Sequence, residues 1–185
     1  MNNVYIVLTD TGSLFTRLIE RFTKHPYNHV SIAFDESLES LFSFGRKHPY
    51  NPFWGGFVRE SISGGTFKRF KNTTCMVLRI GVEDKEYESL TQNIAFFEAH
   101  KNEYTYNLTG LVATYFDKYV PRKHAYFCSE FVAGVLYESD ITLWDTPPHK
   151  VKPYDFGEDD RFQVLFEGRL TDYTQFYESY RTVKT

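Results

Sequence analysis

Hydrophobic positions recur along this chain with two periods, and the order in which they alternate predicts its architecture. Residues 4–8, Val-Tyr-Ile-Val-Leu, form a short β-rich apolar run that reads as a buried strand ended by Thr9-Asp10-Thr11-Gly12. From Ser13, a capping residue, to Thr23 the spacing becomes helical, with Leu14, Leu18, Ile19 and Phe22 on one face until Pro26 stops it. Period two then returns: Val30, Ile32 and Phe34 alternate with His29, Ser31 and Ala33. Residues 36–39 turn the chain, and residues 40–46 come back as a hairpin partner.

Between His48 and Gly65 two Pro, four Gly and several aromatics predict an irregular loop around a short strand at residues 57–60. Residues 73–82 read as a strand and residues 83–102 as a helix with acidic residues in its first turn and Leu90, Ile94 and Phe97 on one face. A second helical segment over residues 108–119 has Asn107 as its cap. A basic link, Pro121-Arg122-Lys123-His124-Ala125, leads to a helix whose apolar face is Phe131, Val132, Val135 and Leu136. Two irregular stretches follow, around Pro147-Pro148 and at Pro153-Tyr154-Asp155-Phe156. A strand at residues 162–167 and a helix at residues 173–180 complete the chain. Antiparallel strands with helices grouped between them predict an α+β fold, and no Pro/Gly/Ser-rich linker divides residues 1–185 into more than one domain.

Composition narrows the function classes. A net charge of −3 without a Lys/Arg block gives no electrostatic case for nucleic acid. No apolar run approaches the roughly 20 residues that cross a bilayer, and the N-terminus lacks the basic region of a signal peptide. A cytoplasmic protein is the expectation. Aromatics at 18% suggest aromatic-walled grooves, although core filling is the commoner use of Phe. The two cysteines, Cys75 and Cys128, make no disulfide framework.

One stretch carries sharper chemistry. Cys128 falls in the first turn of its predicted helix, after Tyr126-Phe127. Unpaired main-chain N–H groups and the positive end of the helix dipole favour a thiolate there. A free cysteine is more often a small buried hydrophobe, and Cys75, inside an apolar strand, reads as that. No phosphate loop, Gly-x-Ser-x-Gly elbow or His-Glu-x-x-His motif is present. His25 and His29 are separated by Pro26, which argues against a shared helical face and a metal pair. His124 lies closer to Cys128 in sequence but in an exposed basic link.

The segment Thr9-x-Thr11-Gly12-Ser13 with its helix, followed by Asn28-His29-Val30-Ser31-Ile32-Ala33-Phe34-Asp35, resembles the first half of the permuted NlpC/P60 proteins. These are the YiiX/YycO-like branch of the papain-like thiol hydrolases. Tyr126-Phe127-Cys128-Ser129-Glu130-Phe131-Val132 is similar to their cysteine motif, and Pro153-Tyr154-Asp155-Phe156 to the proline segment after it. The resemblance implies a single papain-like domain with Cys128 as nucleophile and His29 as general base. The third residue that orients the imidazole is usually a polar side chain on the neighbouring strand. That strand offers no carboxylate, and Ser43 is the nearest candidate.

The implied activity is cleavage of an amide or ester through an acyl-enzyme, with a small peptide, muropeptide or acyl compound as substrate. It calls for no cofactor and no metal. Tyr126 could add a hydroxyl donor, and the aromatic stretch at residues 50–57, with Phe53 and Trp54, would wall a substrate groove. Two other readings share the fold: a binding or regulatory domain without turnover, and a phospholipid-dependent acyltransferase.

Overall fold

A computed structural model describes residues 1–12, 25–48, 51–114, 118 and 120–184, with the side chains of residues 48, 51–54, 112, 183 and 184 excepted. The helix expected over residues 13–23 lies outside the described residues, as do the side chains of Phe53 and Trp54.

The fold is α+β. Its centre is a six-stranded antiparallel sheet in the order β4-β3-β2-β1-β5-β8. The strands are β1 (Asn2–Asp10), β2 (His29–Ala33), β3 (Leu41–His48), β4 (Asn51–Glu60), β5 (Thr74–Val82) and β8 (Gln163–Arg169). Strand β1 is interior, pairing with β2 on one side and β5 on the other. Both of its faces are covered, which is why residues 4–8 are an unbroken apolar run rather than an alternation.

Val4, Ile6 and Leu8 join Val30, Ile32, Phe42, Phe44 and Leu78 in a core completed by α4 (Cys128–Tyr137). Tyr5 and Val7 face the other way, into a smaller core with Ala33, Leu41, Cys75 and Val77. That core is closed by Leu170 and Tyr173 of α6 (Leu170–Lys184), and the Tyr173 hydroxyl donates to the Glu36 carbonyl at 2.7 Å. Cys75 is fully buried there, as expected of a structural thiol.

The remaining helices are α1 (Gly65–Arg69), α2 (Asp84–Ala99), α3 (Leu108–Thr114), a 3-10 turn at Pro148–Lys150, and α5 (Pro153–Gly157). Helix α2 follows its expected pattern: Leu90 and Ile94 are buried, and the Glu86 carboxylate reaches back to the Glu83 N–H at 2.7 Å. Asn107 caps α3, its side-chain oxygen accepting from the Gly110 N–H at 2.9 Å. The expected loop before residue 57 is corrected, because Asn51–Glu60 is a strand throughout. The two proline segments read as irregular contain the 3-10 turn and α5. Two short parallel strands, β6 (Thr105–Tyr106) and β7 (Ala125–Tyr126), connect α3 to the start of α4. Among the described residues no helix is long and apolar enough to cross a membrane.

Candidate active site

Phe127 is extended (φ −101°, ψ 168°) and forms the N-cap of α4, so Cys128 is the first residue with helical geometry. The Glu130 carboxylate accepts from the Phe127 N–H at 3.4 Å, which satisfies one of the donors that a helix start leaves open. The Cys128 thiol is fully buried. Around the sulfur lie the main-chain N–H groups of Val30, Ser129 and Cys128 itself, together with the Tyr106 hydroxyl, and all of them favour a thiolate. Burial outweighs them and pushes the thiol up to about 11, so it is neutral near pH 7. Tyr106 is held by the β6–β7 pair, in register with Tyr126, and the Asn107 N–H donates to the Tyr126 carbonyl at 2.8 Å.

His29 opens β2, directly across from Thr9 of β1. Its Nε2 lies 3.4 Å from the Ser31 hydroxyl, and a Cβ on Gly45 would come within 3.5 Å of its Cε1. Burial, with a smaller contribution from the Arg46 charge, lowers the imidazole to about 4, leaving it neutral at pH 7. Strand alternation sends this ring out on the side of Ser31, whereas Cys128 packs with Val30 and Ile32 on the other side. No hydrogen bond joins His29 to Cys128. The sulfur instead lies beside the main chain of Val30, one residue after the histidine.

The local sheet geometry accounts for that proximity. Strands β2 and β3 are in register at Ile32 and Phe42, but toward His29 the Val30 carbonyl is taken by the Ser43 hydroxyl at 2.6 Å. Ser43, expected to orient the imidazole, therefore donates to main chain and bridges the end of the β2–β3 pair. Ser31 and Thr9 also place hydroxyls on the ring's own side, the latter buried with no partner among the described residues. Ser129, beside the thiol, also has a buried hydroxyl without a partner among the described residues.

Tyr126 is half-buried, its ring 5.2 Å from that of Phe44 and 5.7 Å from that of Phe97. It helps to wall a pocket on the flank of α4. His124 is exposed, its ring tilted against that of Tyr104 at 5.4 Å, and takes a left-handed backbone (φ 54°) in the link before β7. Three residues absent from the sequence-based set stand at the site: Tyr106 beside the sulfur, Arg46 near His29, and Thr9 across from it. Only Thr9 had a readable signal, since it follows an apolar strand as a polar residue of the same alternation as Tyr5 and Val7. Tyr106 sits in a two-residue strand that no periodicity reveals.

No protein-family model, no curated protein and no solved structure matches the chain. Among the described residues no group of three or more His, Cys, Asp or Glu side chains is arranged to hold a metal ion.

Proposed function

We propose that the protein is a thiol hydrolase with a permuted papain-like fold, cleaving an amide or ester through an acyl-enzyme at Cys128. The observation that carries this reading is the convergence of main-chain N–H groups from two elements, α4 and Val30 of β2, on a thiol at a helix start. Such donors suit the oxyanion that forms when sulfur attacks a carbonyl carbon. His29, the residue before Val30, is the base: it takes the thiol proton as the C–S bond forms. It gives that proton to the amine or alcohol as the scissile bond breaks. Water, deprotonated by the same imidazole, then attacks the thioester, and the acid leaves with the thiol restored.

In the structure both groups are neutral and the ring lies against Ser31, on the side of β2 away from the sulfur. The reaction needs the imidazole to leave Ser31 and meet the sulfur past the end of the β2–β3 pair. A peptide of the peptidoglycan type or an acyl amide or ester is the proposed substrate class. Among the described residues no carboxylate stands behind His29, which favours a second reading, a binding domain of the same fold without turnover.

An activated ester separates the two. Incubation with p-nitrophenyl acetate should leave an acetyl group on Cys128, found by peptide mass spectrometry, with a burst of nitrophenolate. Cys128→Ser should remove the burst, and His29→Ala should slow it by about 10²-fold or more, the usual contribution of a general base. His124→Ala should leave it unchanged. Acetylation of surface lysines alone, with Cys128 untouched at every pH, would overturn the hydrolase reading and leave the binding domain.

A further inference from the structure

The outer flank of α4 bounds a pocket of about 220 Å³ between that helix, α2 and the Pro148–Lys150 turn. Its floor is made by Glu130, Gly134 and Glu138, spaced four apart on one helical face. Gly134 keeps the floor low: a Cβ there would meet only the Pro148 Cβ, at 4.0 Å. Phe97, Tyr126, Phe131 and Val135 line it too, with Pro148 and His149. Among the described residues, no Lys or Arg side chain lines it. Glu130 is only 8% exposed yet reaches this space, with one oxygen occupied by the Phe127 N–H.

We infer that this pocket binds a small organic ammonium, a primary or quaternary amine on an aromatic or short aliphatic body. Two carboxylates and aromatic rings in one lining, with no Lys or Arg among its described residues, are the combination that attracts such a group, through charge pairing and ring quadrupoles. The volume sits below the range of drug-sized pockets, which limits the ligand to one ring or a short chain. A buried carboxylate without a counter-ion is costly, and a bound ammonium supplies one. Glu130 is pushed up to about 7 by burial, so it gains its charge near neutral pH. The groups facing it act in the same direction. Glu138 adds negative charge from α4, whereas His149 would oppose a bound cation only when protonated, and burial lowers its affinity for a proton. Asn93 and Phe97 bring no charge from α2. The inference holds whether or not Cys128 is catalytic.

The test uses benzylamine, with benzyl alcohol and benzoate as neutral and anionic counterparts, titrated into the intact protein by calorimetry and amide-shift NMR. Benzylamine should bind at pH 8, shift the amides of residues 126–138 and 148–150, and weaken severalfold by pH 6. Benzyl alcohol and benzoate should bind at least tenfold more weakly. Glu130→Gln keeps an acceptor for the Phe127 N–H and should cost roughly tenfold or more in benzylamine affinity, as loss of a charged hydrogen-bond partner does. Glu138→Gln, on the exposed end of the helix, should cost a smaller factor and gives a readout even if the Glu130 variant does not fold. Equal binding of amine and alcohol, shifts confined to another part of the protein, or unchanged affinity in both variants would each overturn the inference. The nitrophenolate burst, measured separately, reports on Cys128 alone.

Discussion

Single residues at the start of α4 are held against their ordinary protonation, and each has a measurable consequence. Glu130 carries a folded value of about 7 against an ordinary 4.5. Between those two pH values the folded protein binds more protons than the unfolded chain, so stability falls as pH rises, and the cost is complete above pH 7. Glu130→Gln should therefore raise the melting temperature at pH 8, by the equivalent of about 2 kcal/mol. At pH 5 the same variant should be nearly neutral. A destabilisation of equal size at both pH values would show that the carboxylate acts through its geometry and not its charge. His29 works with the opposite sign. Its folded value of about 4 lies below the ordinary 6.5, so the unfolded chain binds the extra proton in that window and stability falls as pH drops through it. His29→Ala should remove this acid-side loss between pH 6.5 and 4. The positions of both residues were legible in the sequence, because each stands where one hydrophobic period gives way to another. Their partners were not: whether Ser43 meets the imidazole or the Val30 carbonyl depends on the register of β2 and β3, which period two leaves open.

Elements explain the remaining differences between expectation and structure. Residues 51–60 carry Pro52, Gly55 and Gly56, which as sequence signals mean a loop, yet they form β4. That strand is the outer edge of the sheet, where a proline's missing N–H breaks no ladder. The glycines serve close approach. A Cβ on Gly55 would lie 2.6 Å from the Tyr106 Cβ and 2.7 Å from the Gly45 carbonyl oxygen. Gly55→Ala should thus cost about 1–3 kcal/mol, as overpacking does, and displace the tyrosine that faces the Cys128 sulfur. Gly134 is the opposite case. It lies inside α4, where its Cβ would make only an ordinary contact with the Pro148 Cβ at 4.0 Å, so Gly134→Ala should stabilise the fold by about 0.5–1 kcal/mol in urea titrations. In the same helix Phe131 is buried against Phe44 at 5.0 Å and Phe97 at 5.1 Å. Phe131→Ala should cost about 3–5 kcal/mol, through lost burial and the cavity left behind. Helix α4 itself was predictable from its apolar face alone, since tertiary packing and local period agree there.

For the whole molecule, the two cores on either side of the sheet share a store of groups that burial keeps protonated. Cys128 is held near 11, and Cys75 and Tyr5 near 12. Tyr27 and Tyr173 are shifted upward too, Tyr27 by burial and its hydrogen bond to Glu167, Tyr173 by burial and the nearby Glu36 charge. The unfolded chain releases these protons from about pH 9, before the native state does, so stability should fall steeply between pH 9 and 12. Urea midpoints at pH 8.5 and 10.5 measure this, and Cys75→Ala should flatten the slope without touching the candidate site. An unchanged midpoint across that interval would mean that the buried thiols and phenols ionise without resistance.

The strand order has a further consequence, for the time course of folding. β1 lies between β2 and β5, and Asp10 of β1 is paired with Thr74 of β5, far along the chain. β8 joins β5 later still, through partners such as Thr74 and Arg169. Closing such distant segments is entropically slow, and sheets dominated by non-local pairing form in milliseconds to seconds, where local helical folds take microseconds. Until β5 docks, the most apolar strand of the protein has one bare edge, able to template pairing with another chain. Refolding yield should therefore drop with protein concentration, and nascent chains in which residues 74–82 have not yet emerged should be the ones that chaperones bind.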